Sequence, residues 1–258
     1  AWGFPRRPLW AMTTCAALLA SAALQRWVAS AYGRTAVLSR RAAETIEGSL
    51  AIVTDIDDPV AFEVARTLAS WGATVVCSAR DTQRGGEGIA ALRQHLPRAT
   101  FRFVPLDFAD PHSPAAFVAL LPAVVGKSSL NHVFIDLLVL AGRPRQQDVR
   151  QACHDGPAEL IRLLTGPVRF AAARRGGRIV WRCSAAHAHS QDGSTVACTF
   201  AAATLANLRF VKSLVDKGVT AFAAHVGVDA GSKAGLATLK TPREAAQTLL
   251  HCCVGPLS

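Results

Sequence analysis

The sequence predicts an α/β fold, in which helices cover both faces of a parallel sheet. From residue 49 onward, short apolar runs alternate with longer segments of helical periodicity, the pattern of repeated strand–helix–strand units. Half of the 258 residues are hydrophobic, so the chain can bury a large core. Together these observations exclude a disordered chain, a collagen, a coiled coil and a polytopic membrane protein.

Six strands are predicted within residues 49–258. Each is a short run rich in Val, Ile, Leu, Phe or Ala that is bounded by polar or turn residues. The runs cover residues 49–54, 73–78, 100–104, 133–140, 178–183 and 219–224. No linker or internal repeat divides this segment, so we expect a single domain.

The segments between and after these strands predict helices, because their apolar residues recur at spacings of three and four. They cover residues 60–71, 113–124, 152–174, 196–215 and 242–254. A break is predicted at Gly166-Pro167, because proline cannot donate the helical hydrogen bond. Residues 85–88 are rich in glycine but lack the Lys and Ser/Thr of a P-loop, and they predict a flexible connection. Right-handed crossovers then give a Rossmann-type, doubly wound parallel sheet of about six strands.

The chain is basic, with 28 Lys and Arg against 18 Asp and Glu, a net charge of +10 and a pI near 9.9. Such an excess suits a negatively charged partner, such as nucleic acid, anionic lipid or the acidic face of a large assembly. Residues 1–48 hold six Arg against two Glu. We interpret this segment as a separate N-terminal helical arm or anchor.

The arm contains an uncharged stretch, residues 8–25, with Trp10 near its start and Trp27 just after its end. As a helix this stretch is about 27 Å long, which is marginal for a hydrocarbon core of about 30 Å. Three interpretations stay open: a membrane anchor, a helix docked on a partner, and the remainder of an organellar targeting segment. Under the first, residues 8–27 contact anionic lipid or span the membrane.

Neither a metal site nor a disulfide scaffold is expected. The seven cysteines form no C-x-x-C pair and lie mostly in apolar runs, which favours reduced core residues. His187 and His189 are two residues apart, but no Cys or acidic residue completes a metal-ligand spacing. The basic clusters at residues 143–145 and 174–178 lack interleaved aromatic residues, so direct nucleic-acid binding is not expected either.

Seven short motifs occur in a fixed order along residues 49–258. They lie at residues 78–81, 106–110, 136–142, 177–187, 205–208, 225–228 and 241–248, and read SARD, LDFAD, DLLVLAG, GRIVWRCSAAH, LANL, HVGV and TPREAAQT. In this order they resemble the short-chain dehydrogenase/reductase family, and its retinol-dehydrogenase-like branch in particular. The resemblance implies a Rossmann-type fold that binds NAD(P) and transfers hydride.

The cofactor loop departs from the family pattern T-G-x-x-x-G-I-G. In residues 54–61, the three glycine positions are occupied by Asp55, Pro59 and Ala61. Glycines let the backbone approach the cofactor's pyrophosphate, whereas the carboxylates of this loop would repel it. We therefore expect no ordinary dinucleotide binding here, and we predict that Asp58 and Pro59 cap the following helix.

This chain retains more of the family's residues on the adenosine side of the cofactor site. Arg80 holds the position that often meets the 2′-phosphate of NADP, and Asp107 holds the position beside adenine. Our main expectation is that the chain binds no cofactor. Arg80 and Asp107 leave open the hypothesis of residual NADP binding.

The catalytic positions depart further from the family. The motif at residues 205–208 places Phe200 and Thr204 where the family has its Tyr and Lys. Phe has no proton to transfer and Thr has no positive charge. Ser184 keeps the family's serine, but Leu140 replaces the family's asparagine in the fourth strand. The resemblance therefore predicts a catalytically inactive member.

From these departures we expect a structural or assembly subunit of an organellar membrane complex, with the mitochondrial respiratory chain as its setting. Its partners would be other protein subunits and anionic lipid, at the mitochondrial inner membrane or at a plastid or endoplasmic reticulum membrane. The sequence stops where the family has a seventh strand, so we expect another protein to cover strand six. Two alternatives remain: a membrane-anchored NADP-dependent oxidoreductase of retinoid-like or lipid substrates, and a basic organellar ribosome component.

Overall fold

A computed structural model describes residues 45–142, 149–183, 195–226 and 241–254 of the chain. Within these ranges six strands form one parallel sheet in the order β3-β2-β1-β4-β5-β6. The strands are β1 Leu50–Val53, β2 Thr74–Cys77, β3 Phe101–Phe103, β4 Leu137–Leu140, β5 Arg178–Cys183 and β6 Ala221–His225. The predicted Rossmann-type sheet is confirmed.

Six α-helices connect and follow the strands in the described part of the chain. They are α1 Pro59–Ser70, α2 Thr82–His95, α3 Ser113–Val124, α4 Gly156–Arg175, α5 Thr195–Asp216 and α6 Pro242–Val254. A 3₁₀ turn at Leu130–His132 precedes β4, and a π-helical turn at Gln151–Asp155 leads into α4.

The hydrophobic core lies on both faces of the sheet. Ala51 and Val53 of β1 pack with α1 and α6, whereas Ile52 between them packs with α3 and α4 on the other face. All three are fully buried, as expected of a parallel sheet that helices cover on both sides. The near-continuous apolar runs in the sequence follow from this double burial.

The order of the strands determines where a ligand crevice lies. From β1 the chain runs outward through β2 and β3 and then returns to β4, on the other side of β1. The sheet therefore has its topological switch point between β1 and β4, where doubly wound folds bind ligands at the carboxyl ends of the strands. The backbone N–H of Thr54 donates to the carbonyl of Val139 at 3.0 Å and holds the two strands together there.

The glycine-rich segment 85–88 lies within helix α2, so the predicted flexible connection is wrong. Asp81 caps this helix, since its carboxylate accepts from the backbone N–H groups of Gln83 and Arg84 at 2.9 and 3.1 Å. Gly85 packs against Phe103, and a Cβ at this position would overlap the phenyl ring. Close packing of helix on strand explains this glycine better than flexibility does.

Helix α4 continues through Pro167, so the predicted break is also wrong. Leu164 and Val168, on either side of the proline, are fully buried against the sheet. Tertiary packing outweighs the hydrogen bond that the proline cannot donate.

The arm cannot be compared with its prediction, because residues 1–44 lie outside the described residues. Among the described residues, no helix combines the length and the apolar character needed to cross a membrane. The five described cysteines are all free thiols.

Candidate functional site

The turn between β1 and α1 lies at the switch point. Asp55 adopts the left-handed backbone conformation, with φ of 57°, that normally favours glycine. It therefore keeps the local geometry of the family's first glycine without being one. Its carboxylate lies against Gly142 beyond the end of β4, where a Cβ would overlap it. A close approach of two loops consequently depends on the glycine at position 142.

Asp58 caps helix α1. Its Oδ1 atom accepts from the backbone N–H of Val60 at 2.8 Å and from that of Ala61 at 3.4 Å, and Pro59 is the first helical residue. The predicted cap of Asp58 and Pro59 is confirmed. A carboxylate is stabilised here because the first N–H groups of a helix lack intrahelical partners and carry positive partial charge.

Asp58 also forms an ion pair with Arg182 of β5. The guanidinium Nη1 lies 3.1 Å from Asp58 Oδ1 and donates to the carbonyl of Ala141 at 2.9 Å. The side chains of Arg182 and Asp58 are only 6% and 9% exposed, so the pair is desolvated. Sequence reasoning missed this pair, although a charged residue amid the apolar strand 178–183 was a signal that it needed a partner.

Two further side chains meet at the carboxyl ends of β2 and β3. The Nε atom of Arg80 lies 3.0 Å from the Oδ2 atom of Asp107, and these side chains are 49% and 31% exposed. Asp107 is fixed in its turn, since its Oδ1 accepts from the backbone N–H of Ala109 at 2.9 Å. The structure therefore brings together both residues that the resemblance assigned to the adenosine side, while their role in binding stays a prediction.

Two hydroxyl groups lie beneath this edge. Thr54 after β1 and Ser78 after β2 are fully buried, and their side-chain oxygens lack a hydrogen-bond partner within the described part of the chain. Unpaired buried hydroxyls are uncommon in folded proteins. The β1–β2 end of the crevice therefore contains two hydroxyl groups whose hydrogen-bonding capacity is not used by the described residues.

A second polar cluster lies between α4 and α5. The side-chain amide of Asn207 donates to the carbonyl of Cys153 at 2.8 Å, so its Oδ1 is left to accept from Nδ1 of His154 at 2.6 Å. The imidazole stacks on Trp181 of β5, with ring centroids 6.3 Å apart and 3° between the planes. His154 stands in the π-helical turn, a kind of local distortion that is frequent at functional sites. Sequence reasoning gave this histidine no role.

The predicted catalytic positions are only partly described. Thr204 is buried on α5, and Leu140 ends β4 in the core. Phe200 falls within α5, but its side chain lies outside the described residues, as does all of Ser184. The prediction that these four positions have lost the family's catalytic groups therefore stays a prediction. His187 and His189 also lie outside the described residues.

A cysteine at this edge is not a nucleophile. Cys183 ends β5 and is buried, and this burial raises its pKa to about 12. Its thiol is protonated at neutral pH, whereas a reactive cysteine needs thiolate character.

The known proteins to which this chain is similar are named as dehydrogenases, reductases and oxidoreductases. No protein-family model matches the chain. It is 27% identical over 149 residues to a zebrafish (Danio rerio) WW domain-containing oxidoreductase, which covers 55% of this chain and 35% of that protein. It is 25% identical over 240 residues to human (Homo sapiens) retinol dehydrogenase 12, which covers 81% of this chain and 74% of that protein.

A shorter match is 35% identical over 79 residues to (+)-neomenthol dehydrogenase of Arabidopsis thaliana, and it covers 30% of this chain and 27% of that protein. The matches to the zebrafish and plant proteins thus span about a third and about a quarter of those relatives' lengths.

Solved structures agree on the fold. A metagenomic short-chain oxidoreductase in complex with NADP superposes with a TM-score of 0.61 at 20% identity, over 82% of this chain and 93% of that chain. The chain is thus similar in fold to short-chain oxidoreductases, and in sequence to dehydrogenases and oxidoreductases. The retinol-dehydrogenase-like branch fits the relatives. An actinorhodin polyketide ketoreductase with NADPH also superposes on this chain, with a TM-score of 0.61 at 20% identity over 80% of this chain and 90% of that one.

These comparisons contradict the prediction of an inactive accessory subunit of a respiratory complex. The relatives of this chain are named as oxidoreductases and dehydrogenases. The two solved structures are named as an oxidoreductase and a ketoreductase. They support the oxidoreductase alternative instead. Two of the solved structures with this fold hold NADP or NADPH.

The residues present fit one half of such a cofactor and not the other. Arg80, paired with Asp107 and two residues after Ser78, offers a half-exposed cation where a 2′-phosphate would bind. At the start of α1, by contrast, the carboxylate of Asp58 occupies the N–H groups that a pyrophosphate would use. In this conformation the adenosine end fits and the pyrophosphate position does not.

Proposed function

We propose that this chain is a short-chain dehydrogenase/reductase, an NADP(H)-dependent oxidoreductase that interconverts an alcohol and a carbonyl on retinoid-like or other lipid substrates. The observation that carries the proposal is the Arg80–Asp107 pair, 3.0 Å apart at the carboxyl ends of β2 and β3. The names of the relatives supply the reaction class, and human retinol dehydrogenase 12 supplies the substrate class.

The choice of NADP(H) over NAD(H) follows from charge. In Rossmann-type folds an acidic residue near the end of β2 binds the ribose 2′-hydroxyl of NAD, whereas an Arg accommodates the 2′-phosphate of NADP. Here Arg80 follows β2, and its side chain is half exposed. The next residue, Asp81, is engaged in capping α2. A phosphate at this point therefore meets a cation.

NADP(H), when bound, supplies or accepts the hydride. The accompanying proton needs a group of this chain, and neither Phe200 nor Thr204 can provide one at neutral pH. His154 has the required chemistry. Because its Nδ1 donates to Asn207, the neutral imidazole leaves Nε2 as the atom that takes a proton and, once charged, returns it.

The position of His154 also suits this role. Its ring stacks on Trp181, which pairs with Leu140 at the carboxyl end of β4. The imidazole therefore lies toward the same edge of the sheet as the cofactor crevice. The side chain is 18% exposed, so a proton can reach it from solvent.

Membrane association through residues 8–27 belongs to the same proposal. Within it, residues 8–25 are uncharged and lie between Arg7 and Arg26, with Trp10 near their start and Trp27 just after their end. An anchor of this kind would hold the enzyme where lipid substrates are dissolved. Carbonate extraction of membranes tests it: the chain is expected in the pellet, and release into the supernatant would contradict anchoring.

Turnover tests the proposed reaction. The full chain, purified in detergent, is assayed for NADPH oxidation with all-trans-retinal and with a medium-chain aldehyde, and the alcohol product is quantified by chromatography. We expect alcohol to form with NADPH. His154→Gln, which keeps a hydrogen-bond donor, should lower kcat. Absence of alcohol with every substrate contradicts the proposed function.

A further inference from the structure

A groove of about 700 Å³ lies at the amino-terminal edge of the sheet, opposite the crevice at the switch point. Ser49 before β1, Thr74 at the start of β2 and Thr100 before β3 line it where these strands begin. The end of α3 and the segment 132–136 before β4 also line it. Cavities of about 300–1,000 Å³ have the size that binds small molecules in proteins. The groove is therefore large enough for a ligand, at an edge that the proposed reaction does not use.

Much of the lining of this groove is apolar. Leu50, Val124 and Val125 line it and pack against the core on the face of the sheet that α3 and α4 cover. None of the three is fully buried, so part of their apolar surface stays accessible. Removal of such surface from water favours the binding of an apolar chain or ring.

Two cations line the same groove. Arg102 of β3 and Lys127 after α3 are exposed, and neither forms an ion pair with another residue of the described ranges. Asp136 is the one acidic residue among the described residues of the lining, and its Oδ2 accepts from the backbone N–H of Leu50 at 2.8 Å. With His132 counted as neutral, two cations and one carboxylate give the lining a net charge of +1. A cleft of positive charge attracts anions, and one excess charge suits a monoanion such as a carboxylate.

The end of α3 does not oppose an anion with unpaired carbonyl groups. Unpaired carbonyls at a helix C-terminus carry negative partial charge and would repel it. Here three of the last carbonyls accept from backbone N–H groups of the following turn, at 3.1, 3.2 and 2.8 Å: Leu121 from Val125, Ala123 from Gly126, and Pro122 from Lys127.

His132 offers a further nitrogen in the lining. Its Nδ1 lies 3.1 Å from the hydroxyl oxygens of both Ser128 and Ser129. With Nδ1 accepting from these hydroxyl groups, a neutral imidazole carries its proton on Nε2. Nε2 is then the ring atom that can donate to a bound anion.

A buried hydroxyl group of the groove lacks a partner. Ser49 is 1% exposed, and its Oγ makes no hydrogen bond within the described part of the chain. The main chain of Ser49 is fully used, since its N–H donates to Ile46 at 3.0 Å and its carbonyl accepts from Thr74 at 2.9 Å. Buried hydroxyl groups without a partner are uncommon in folded proteins. Because Ser49 lines the groove, a ligand bound there can supply the missing acceptor.

We propose that this groove is a second ligand site, which binds a carboxylate attached to an apolar chain or ring, as in a fatty acid. Arg102, Lys127 and the Ser49 hydroxyl bind the carboxylate, and the apolar part packs on Val124 and Val125. The inference goes beyond the proposed reaction and does not depend on it, because the groove lies at the other edge of the sheet.

The first test compares three ligands that share one chain and differ in the charge of the head group: octanoate, octan-1-ol and octyltrimethylammonium. The full chain, in a fixed concentration of nonionic detergent, is titrated with each, and protection of backbone amides from hydrogen exchange is followed by mass spectrometry. We expect octanoate to protect residues 48–50, 100–102 and 123–136. The other two ligands should need concentrations at least about tenfold higher, because they cannot pair with the two cations.

Three results of this titration overturn the proposal. The first is equal affinity for octanoate and octan-1-ol. The second is protection confined to residues 54–58 and 137–142, which places octanoate in the crevice at the switch point. The third is the absence of protection at millimolar octanoate.

The second test removes the two cations together, because exposed ion pairs are individually weak. In Arg102→Gln/Lys127→Gln we expect octanoate affinity to fall about tenfold and octan-1-ol affinity to stay within about twofold. The control Arg209→Gln/Lys217→Gln removes one exposed Arg and one exposed Lys outside the groove and should leave octanoate affinity within about twofold. Equal losses in the two double variants would show a general effect of net charge and overturn the site.

The third test is Ser49→Ala. The hydroxyl makes no hydrogen bond within the described residues, so its removal should not lower the free energy of unfolding measured by urea titration. Octanoate affinity should fall about tenfold, as expected for a lost hydrogen bond to a charged group. Unchanged octanoate affinity in this variant overturns the assignment of the Ser49 hydroxyl as a ligand of the carboxylate.

Discussion

The Oδ1 atom of Asp58 lies 3.1 Å from Nη1 of Arg182, although the two residues are 124 positions apart in the chain. The contact ties the start of α1 to β5 across the switch point of the sheet. The Arg182 guanidinium balances the charge of the Asp58 carboxylate there. The stability of the fold at this edge consequently depends on both side chains.

Loss of one partner of this pair should destabilise the fold strongly. Arg182→Met leaves a desolvated carboxylate without its cation, which typically costs about 3–5 kcal/mol. We expect this loss in the free energy of unfolding from urea titration. The exposed pair Lys212–Asp216, at 3.0 Å with side chains 75% and 61% exposed, is the control. Lys212→Met should cost less than about 1 kcal/mol. Equal effects of the two substitutions would contradict a special role for the buried pair.

Arg80 should determine the choice between the two nicotinamide cofactors. Arg80→Ala removes the cation assigned to the 2′-phosphate and leaves the rest of the crevice unchanged. We expect the affinity for NADPH to fall about tenfold or more, because charge-assisted hydrogen bonds are the strong ones, and the affinity for NADH to stay the same. Calorimetric titrations of both cofactors check this. Parallel losses for NADPH and NADH would show that Arg80 supports the loop without contacting the phosphate.

The contact between Asp55 and Gly142 should appear as coupling between two substitutions. Gly142→Ala places a Cβ into the Asp55 carboxylate, and overpacking of this kind costs about 1–3 kcal/mol. Asp55→Gly removes the obstructing side chain and suits the φ of 57°. We therefore expect the double variant to recover most of the stability lost in Gly142→Ala. Strict additivity in the double-mutant cycle would rule out the contact.

Stability should fall at alkaline pH through the buried thiol of Cys183. Its pKa is raised from 9.0 to about 12 by burial, so between these values the folded chain keeps a proton that the unfolded chain releases. A rise in pH in this window therefore favours unfolding, by at most about 1.4 kcal/mol per pH unit for each such thiol. Cys183→Ala should flatten the decline of unfolding free energy between pH 9 and pH 10.5. An identical slope in wild type and variant would contradict the assignment.

Local sequence patterns predicted most of the fold. The apolar runs located all six strands, and the sequence Asp58-Pro59 predicted the start of α1, because capping depends on neighbours in the chain. The two errors in the helices have tertiary causes. Gly85 is required by the ring of Phe103, and Pro167 is tolerated because α4 is packed against the sheet around it. Neither partner is near in sequence.

The site was less predictable for the same reason. Arg80 and Asp107 came from motifs that keep their order, and the structure brings them into contact. The partners of Asp58 and His154 could not be found that way, because Arg182 and Asn207 lie 124 and 53 positions further along the chain. The inference from single replaced residues to an inactive protein also failed. It treated each position separately, whereas the relatives match the chain over most of its length.

Transfer of a labelled hydride tests the central claim most directly. The full chain is incubated with NADPH that carries deuterium at the reactive carbon of the nicotinamide, together with all-trans-retinal, and the retinol formed is analysed by mass spectrometry. An NADP(H)-dependent oxidoreductase of this family should give retinol heavier by one deuterium when one face of the nicotinamide is labelled, and unlabelled retinol when the other face is labelled. Retinol without deuterium from both labelled forms, or no retinol at all, would contradict the account.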